Sequence, residues 1–246
     1  MPYNTGMATW IVHLRIAEIL LKYIPDLEAE KFSLGSVAPD SGKPDEKWEK
    51  FTPSTLLTHF QDAESTHRRC ADLDFFRDYL LPLGDDPDQL TFSLRLGYFF
   101  HLVTDNLWSK KIGLPTQQRW PAEFAADQDF IWEIKKDWYG LDFIYLRDHP
   151  DSLYWRTFMH ALPDTGGLKF LVPESLIWSV NHIQQYYQRT DPEIQELYNR
   201  PYIYLSSAEA DRFVEETSLR LAHVYKQLWV HGFSVDGAVS VLDLNM

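Results

Sequence analysis

The chain has 246 residues, enough for one sizeable hydrophobic core, and its 45% hydrophobic and 24% charged residues are those of an ordinary globular domain. A net charge of −13 argues against nucleic acid or an anionic membrane surface as partner, and the single cysteine, Cys70, excludes an intrachain disulfide and fits a reducing, cytoplasmic compartment. The opening stretch reads as neither leader nor membrane span, because it lacks a basic start and a small-residue cleavage site and its apolar run is broken by His13, Arg15 and Glu18.

Residues 8–24 predict an amphipathic helix, with Ile11, Val12, Leu14, Ile16, Ile19, Leu20 and Tyr23 covering more than half of its surface. Thr9 is the candidate N-cap and Pro25 stops the helix. His13 lies inside this segment; taken alone, a histidine there is a core residue more often than a ligand. Residues 34–53 read as a loop punctuated by Gly35, Pro39, Gly42, Pro44 and Pro53. Within it, GSVAPD at 35–40 holds Asp40 in a defined direction, since Pro39 fixes its own φ and biases Ala38 towards an extended backbone. An Asx turn or helix cap is the plain alternative for Asp40.

The second part of segment 55–83 predicts a helix ending near Pro82 and Gly84. His59 sits at the start of the segment between Leu56, Leu57 and Phe60, an apolar setting that favours the neutral imidazole a metal requires. His67, beside Arg68 and Arg69, reads as surface. Residues 88–111 then predict a central helix that is apolar at nearly every position from 96 to 103 and is therefore buried all round. In its GYFFHLVTDNLW stretch at 97–108, His101 and Asp105 are four residues apart and share one face. A carboxylate in that setting needs a partner, and an imidazole and a carboxylate on one face can grip a divalent metal. Gly97 marks a close backbone approach.

Beyond Gly113 and Pro115, helices are expected over 121–148, 152–161 and 173–189. A last helix is entered through a Ser206–Glu209 capping box, runs to His231 and stops at Gly232. The tail, 233–246, reads as an extended segment or a short added strand. Strand alternation, repeats and linkers are lacking, so residues 1–246 read as one all-α domain. The 15% aromatic content predicts a bulky core, with Trp10, Trp108 and Trp138 as candidates to line an apolar pocket.

Taken together, His13, Asp40, His59, His101 and Asp105 supply three imidazoles and two carboxylates, each in an apolar or rigid context. Such a mixture suits zinc, and a carboxylate can bridge two ions that share a hydroxide able to attack phosphorus. A Gly-rich phosphate loop and a G-x-S-x-G elbow are both absent from the chain.

The order of a histidine-bearing helix, G-x-x-A-P-D at 35–40, T-H-F at 58–60 and G-Y-x-x-H-x-x-T-D-x-x-W at 97–108 resembles the bacterial zinc-dependent phospholipase C family, which is related to the single-strand-specific zinc nucleases. The resemblance covers roughly the first 110 residues. It implies a multi-helix domain of the zinc-dependent phospholipase C type holding a zinc cluster. By the resemblance, Asp40, His59 and His101 hold one ion, His13 holds a second, Asp105 bridges the two, and Asp40 is the general base for the attacking water. Two departures stand out. Trp10 is internal where the secreted enzymes use an amino-terminal tryptophan, and the later group of two histidines and a glutamate for a third ion is missing. The nearest substitutes are Asp137, which follows Glu133 by four residues, and the weaker His182. One or two zinc ions are therefore expected rather than three. The expected function is a metal-dependent hydrolase of phosphoester bonds with a small phosphoester substrate. The alternative is a non-catalytic helical protein that retains a structural metal site.

Overall fold

The first apolar stripe closes into α1 (Trp10–Tyr23), which buries Ile11, Leu14 and Leu20 together with His13. The computed structural model describes residues 7–62, 69–84, 86–127 and 129–245; His67 lies outside them. Thr9 has the extended backbone of an N-cap, but its hydroxyl donates to Asp142 Oδ1 at 2.8 Å instead of capping the helix. Helix α2 (Ala29–Gly35) reaches into what the sequence marks as loop, with the Glu28 carboxylate accepting the Lys31 N–H at its start. The chain then makes a 3₁₀ turn, Ala38–Asp40, and an antiparallel ribbon of β1 (Lys43–Pro44) and β2 (Phe51–Thr52), with Lys43 opposite Thr52 and Pro44 opposite Phe51. Two-residue strands are too short to show alternation, so the sequence carries no sign of them.

Helix α3 (Thr55–Thr58) is a single turn capped by Ser54, and His59 is the residue that ends it. Phe60 follows with φ 52, a left-handed conformation unusual for a bulky residue, and is gripped by Phe75 and Phe170, each with ring centroids at 5.5 Å. Helix α4 (Asp72–Phe75) runs on through a π-turn, Phe76–Leu80, and a 3₁₀ turn, Leu81–Leu83, to Gly84.

Helix α5 (Gln89–Trp108) opens with the Asp88 carboxylate on the Thr91 N–H, and from Leu96 to its end every residue is buried. A π-turn, Ser109–Gly113, leads into α6 (Leu114–Arg119), which holds Pro115 in its first turn where its missing N–H costs nothing. The helix expected over 121–148 is two, α7 (Pro121–Ala126) and α8 (Phe130–Asp148). They are followed by α9 (Leu153–Arg156), α10 (Pro173–Tyr186), α11 (Pro192–Asn199) and α12 (Ser207–Tyr225). The Ser206–Glu209 capping box forms as the sequence predicts. The tail is not a strand: it turns through Val241–Asp243, and the Val241 N–H donates to Asp72 Oδ1 at 2.9 Å.

The described residues are thus predominantly helical, and α5 is their axis. Helix α2 lies directly against it because both contact points are glycine. A Cβ on Gly97 would strike the Phe32 carbonyl, and one on Gly35 the Leu94 carbonyl. On the far side, Trp108 meets Trp138 of α8 and Phe213 of α12 edge-on, with centroids at 5.1 and 4.9 Å. Trp108 and Trp138 are therefore core residues and not pocket walls; Trp10 remains half-buried. Among the described residues, no helix is long and apolar enough to cross a membrane.

Candidate metal centre

The close α2–α5 contact sets the first imidazole. It brings the Ser36 carbonyl to 2.9 Å from His101 Nδ1. His59 Nδ1 similarly faces the Thr55 carbonyl at 3.2 Å, with Thr58 Oγ1 at 3.1 Å. A carbonyl can only accept, so both rings carry a proton on Nδ1, and in the neutral ring Nε2 is the free nitrogen that faces the other way. Those two Nε2 atoms are 3.3 Å apart, and Asp105 Oδ2 lies 3.4 Å from His59 and 3.3 Å from His101. Asp40 Oδ1 adds a fourth acceptor, 3.3 Å from His59 Nε2. Four atoms able to ligate a metal thus converge, with the Nδ1 proton of each ring turned away from them.

This arrangement fits a metal ion. In a tetrahedral zinc site with bonds of ~2.0–2.2 Å, neighbouring ligand atoms stand ~3.3–3.6 Å apart. The three separations among His59, His101 and Asp105 are 3.3–3.4 Å, one face of such a tetrahedron. His13 reaches the same carboxylate from α1: its Nε2 is 3.4 Å from Asp105 Oδ1, and its ring stacks on His101 with centroids 3.8 Å apart. Neither His13 Nε2 nor Asp105 Oδ2 has a hydrogen-bond partner among the described residues, although both are buried. Orphaned buried acceptors are costly, and an ion would satisfy them. The Ala8 N–H donates to Asp105 Oδ1 at 2.9 Å and holds the carboxylate in place. The donors form two overlapping groups, Asp40–His59–His101 and His13–His101–Asp105, with ligand atoms within 4.8 Å of one another in each.

The electrostatics point the same way. Burial opposes ionisation of Asp105, but the imidazole of His101, with those of His13 and His59 beside it, holds it well below the usual carboxylate range. Burial likewise opposes ionisation of Asp40, and His59 and His101 outweigh it. For His13, burial is the largest influence and pulls the pKa down, which favours the neutral ring that a metal requires. His59 is opposite: burial lowers its pKa, but Asp105 and Asp40 together lift it to about 9. A proton on His59 is thus the competitor that a metal ion would have to displace.

Asp40 is the member that reaches solvent, with its side chain 14% exposed while those of His13, His59 and Asp105 are at 0–1%. Ser179 of α10 donates to the Asp40 carbonyl at 3.2 Å and fixes the rim there.

All five residues singled out in the first half of the chain are therefore brought together. Asp137 is not among them. Its Oδ1 pairs with Arg200 Nε at 2.9 Å, and its Oδ2 accepts the Tyr204 N–H at 2.7 Å. Glu133 pairs with the same arginine at 2.7 Å, so the two acids fasten α8 to the 200–205 loop and supply no third-metal ligands. His182 is stacked on Trp178 with centroids 4.8 Å apart. The carbonyls of Ser36 and Thr55 and the Ala8 N–H, which orient the ligands, are backbone atoms and left no mark in the sequence. Comparison with protein families, with curated proteins and with solved structures finds no match to this chain.

Proposed function

We propose that this protein is a metal-dependent hydrolase of phosphoester bonds, similar in chemistry to the zinc-dependent phospholipases C. The observation that supports this reading most strongly is the convergence of His59 Nε2, His101 Nε2, Asp105 Oδ2 and Asp40 Oδ1 on one buried point. Zinc is the ion that best suits this nitrogen and oxygen donor set, and when bound it supplies a water acidified to near neutrality and a positive charge for the phosphoryl oxygens.

The chain's own residues divide the remaining work. Asp105, held by the Ala8 N–H, places its two oxygens between His13 on one side and His59 and His101 on the other. The Ser36 and Thr55 carbonyls keep His101 and His59 in the tautomer that leaves Nε2 free. Asp40, ionised and at the solvent rim, is placed to accept a proton from the water that attacks phosphorus. The buried ring stack of His13 and His101 and the surrounding core close the inner side, so substrate approaches past Asp40.

The test is metal analysis of purified, tag-free protein, on wild type and on Asp105→Ala, followed by a screen of phosphomonoesters and phosphodiesters. One or two zinc ions per chain in wild type, lost in the variant, with turnover in the screen, are expected. A wild-type protein that takes up no offered metal sinks the reading. Bound metal with no turnover of any phosphoester shifts the conclusion to a structural metal site.

A further inference from the structure

Around Asp40, the rim is built from three helices. Helix α1 contributes Trp10, three residues before His13. Helix α10 contributes Trp178, next to Ser179, and His182. The Trp10 ring meets Tyr139 of α8 at 6.2 Å and His182 at 5.9 Å. Trp48, at the tip of the β1–β2 ribbon with φ 58, lies 6.0 Å from Trp178 and 6.1 Å from His182. Trp10, Tyr139, Trp178 and His182 are only partly buried, and Trp48 is exposed. This wall of rings faces solvent beside the acidic rim.

One cation belongs to the same rim. On α8, Lys135, Tyr139 and Asp142 recur at helical spacing and share a face. That face lies on the entrance side, because Tyr139 touches Trp10 and Asp142 accepts the Thr9 hydroxyl at 2.8 Å. Lys135 makes no ion pair with any described residue; its ammonium sits 4.8 Å from the centre of the Trp132 ring. Burial weakens its hold on its proton, and the negative charges of Asp40 and Asp105 act against that. Its neighbour Lys136 behaves as an ordinary surface lysine, exposed and paired with Glu133 at 2.6 Å. A part-buried ammonium with no carboxylate of its own, in a chain with a net charge of −13, is suited to an anion that arrives from outside.

We infer that Lys135 is a specificity-determining residue that receives the second negative charge of a phosphate monoester, and that the wall of Trp10, Trp178 and His182 seats the ester's apolar group. The inference rests on the proposed phosphoester chemistry and narrows it from phosphoesters in general to terminal phosphates. A monoester dianion presents a charged oxygen beyond those that a metal cluster and the attacking water require, and a diester does not. Lys135 supplies the matching charge on the side from which substrate enters.

The experiment is calorimetric titration of the protein with inorganic phosphate and with dimethyl phosphate at pH 8, on wild type, Lys135→Met, Lys135→Arg and Lys136→Met, with metal content measured on each sample. Wild type is expected to bind inorganic phosphate roughly tenfold or more tightly than dimethyl phosphate. Lys135→Met reduces that preference to roughly threefold or less at unchanged metal content, while Lys135→Arg and Lys136→Met keep it. A Lys135→Met protein that retains the preference, or a Lys136→Met protein that loses it equally, overturns the inference. Loss of metal from wild type is a separate outcome that overturns the hydrolase reading itself.

Discussion

Asp105 is the residue on which the most interactions meet. Its carboxylate touches three imidazoles and takes one backbone N–H, all at full burial. Asp105→Ala removes the shared ligand and leaves three inward-facing nitrogens with nothing to balance them. Metal affinity is expected to fall by more than the ~10–100-fold typical of losing an outer-sphere partner, which an equilibrium competition with a metal indicator would measure. Asp142 gives a second prediction of a different kind. It is buried between the Thr9 and Tyr187 hydroxyls; burial raises its pKa to about 7, against which those hydrogen bonds act. Its folded pKa therefore lies above its ordinary value of 3.8, so its stabilising contribution is complete below that value and is lost as pH rises through about 7. In urea titrations, Asp142→Asn should flatten the decline of unfolding free energy across that window by up to ~1.4 kcal/mol per pH unit. An unchanged pH slope would mean that Asp142 ionises in the folded protein as easily as in the unfolded one.

At the scale of elements, the contact between α2 and α5 decides whether the centre exists. Gly35 and Gly97 let two backbones meet, and that contact places the Ser36 carbonyl on His101. Gly97→Ala adds a methyl group that strikes the Phe32 carbonyl and approaches the Ser36 nitrogen at 2.9 Å. Alanine should gain ~1 kcal/mol in an ordinary helix interior. Here the clash reverses the sign, and a net loss of ~1–3 kcal/mol is expected in chemical denaturation, with weakened metal uptake as α2 is pushed outwards. A neutral or stabilising Gly97→Ala would show that the helices do not touch at this point. Much at this scale was legible beforehand. The apolar run at 96–103 marked a buried central helix, and Ser206 with Glu209 marked a cap that forms as drawn. Helices α2 and α11 were missed, since seven and eight residues give too few turns for a periodic signal. The single helix expected over 121–148 is interrupted after Ala126, where Asp127 turns to an extended conformation and ends α7.

Across the whole molecule, ligands arrive from α1, from the turn after α2, from the end of α3 and from α5, so the centre cross-links distant parts of the chain. An ion bound there stabilises only the folded state. At a free metal concentration ~100 times the dissociation constant, the gain is ~2.7 kcal/mol. At ~2–4 °C per kcal/mol for a domain of this size, a chelator should lower the melting temperature by roughly 5–10 °C. A chelator-treated sample that melts at the same temperature as one dialysed against zinc would argue that no ion links these elements.

The sequence by itself determined the helical class, the central buried helix, and the identity of His13, Asp40, His59, His101 and Asp105 as residues worth bringing together. Helical periodicity, a proline-fixed turn and polar groups stranded in apolar runs are local properties, and local properties can be read along a chain. Only the tertiary structure decided that Asp137 serves Arg200 and Tyr204 instead of a metal, and that Trp108 and Trp138 belong to the core. It alone brought Lys135, one helical turn from Tyr139, onto the face of α8 that meets Trp10. An acid four residues from another acid has the same spacing whether it faces an ion or an arginine, and the difference lies in a partner more than sixty residues away.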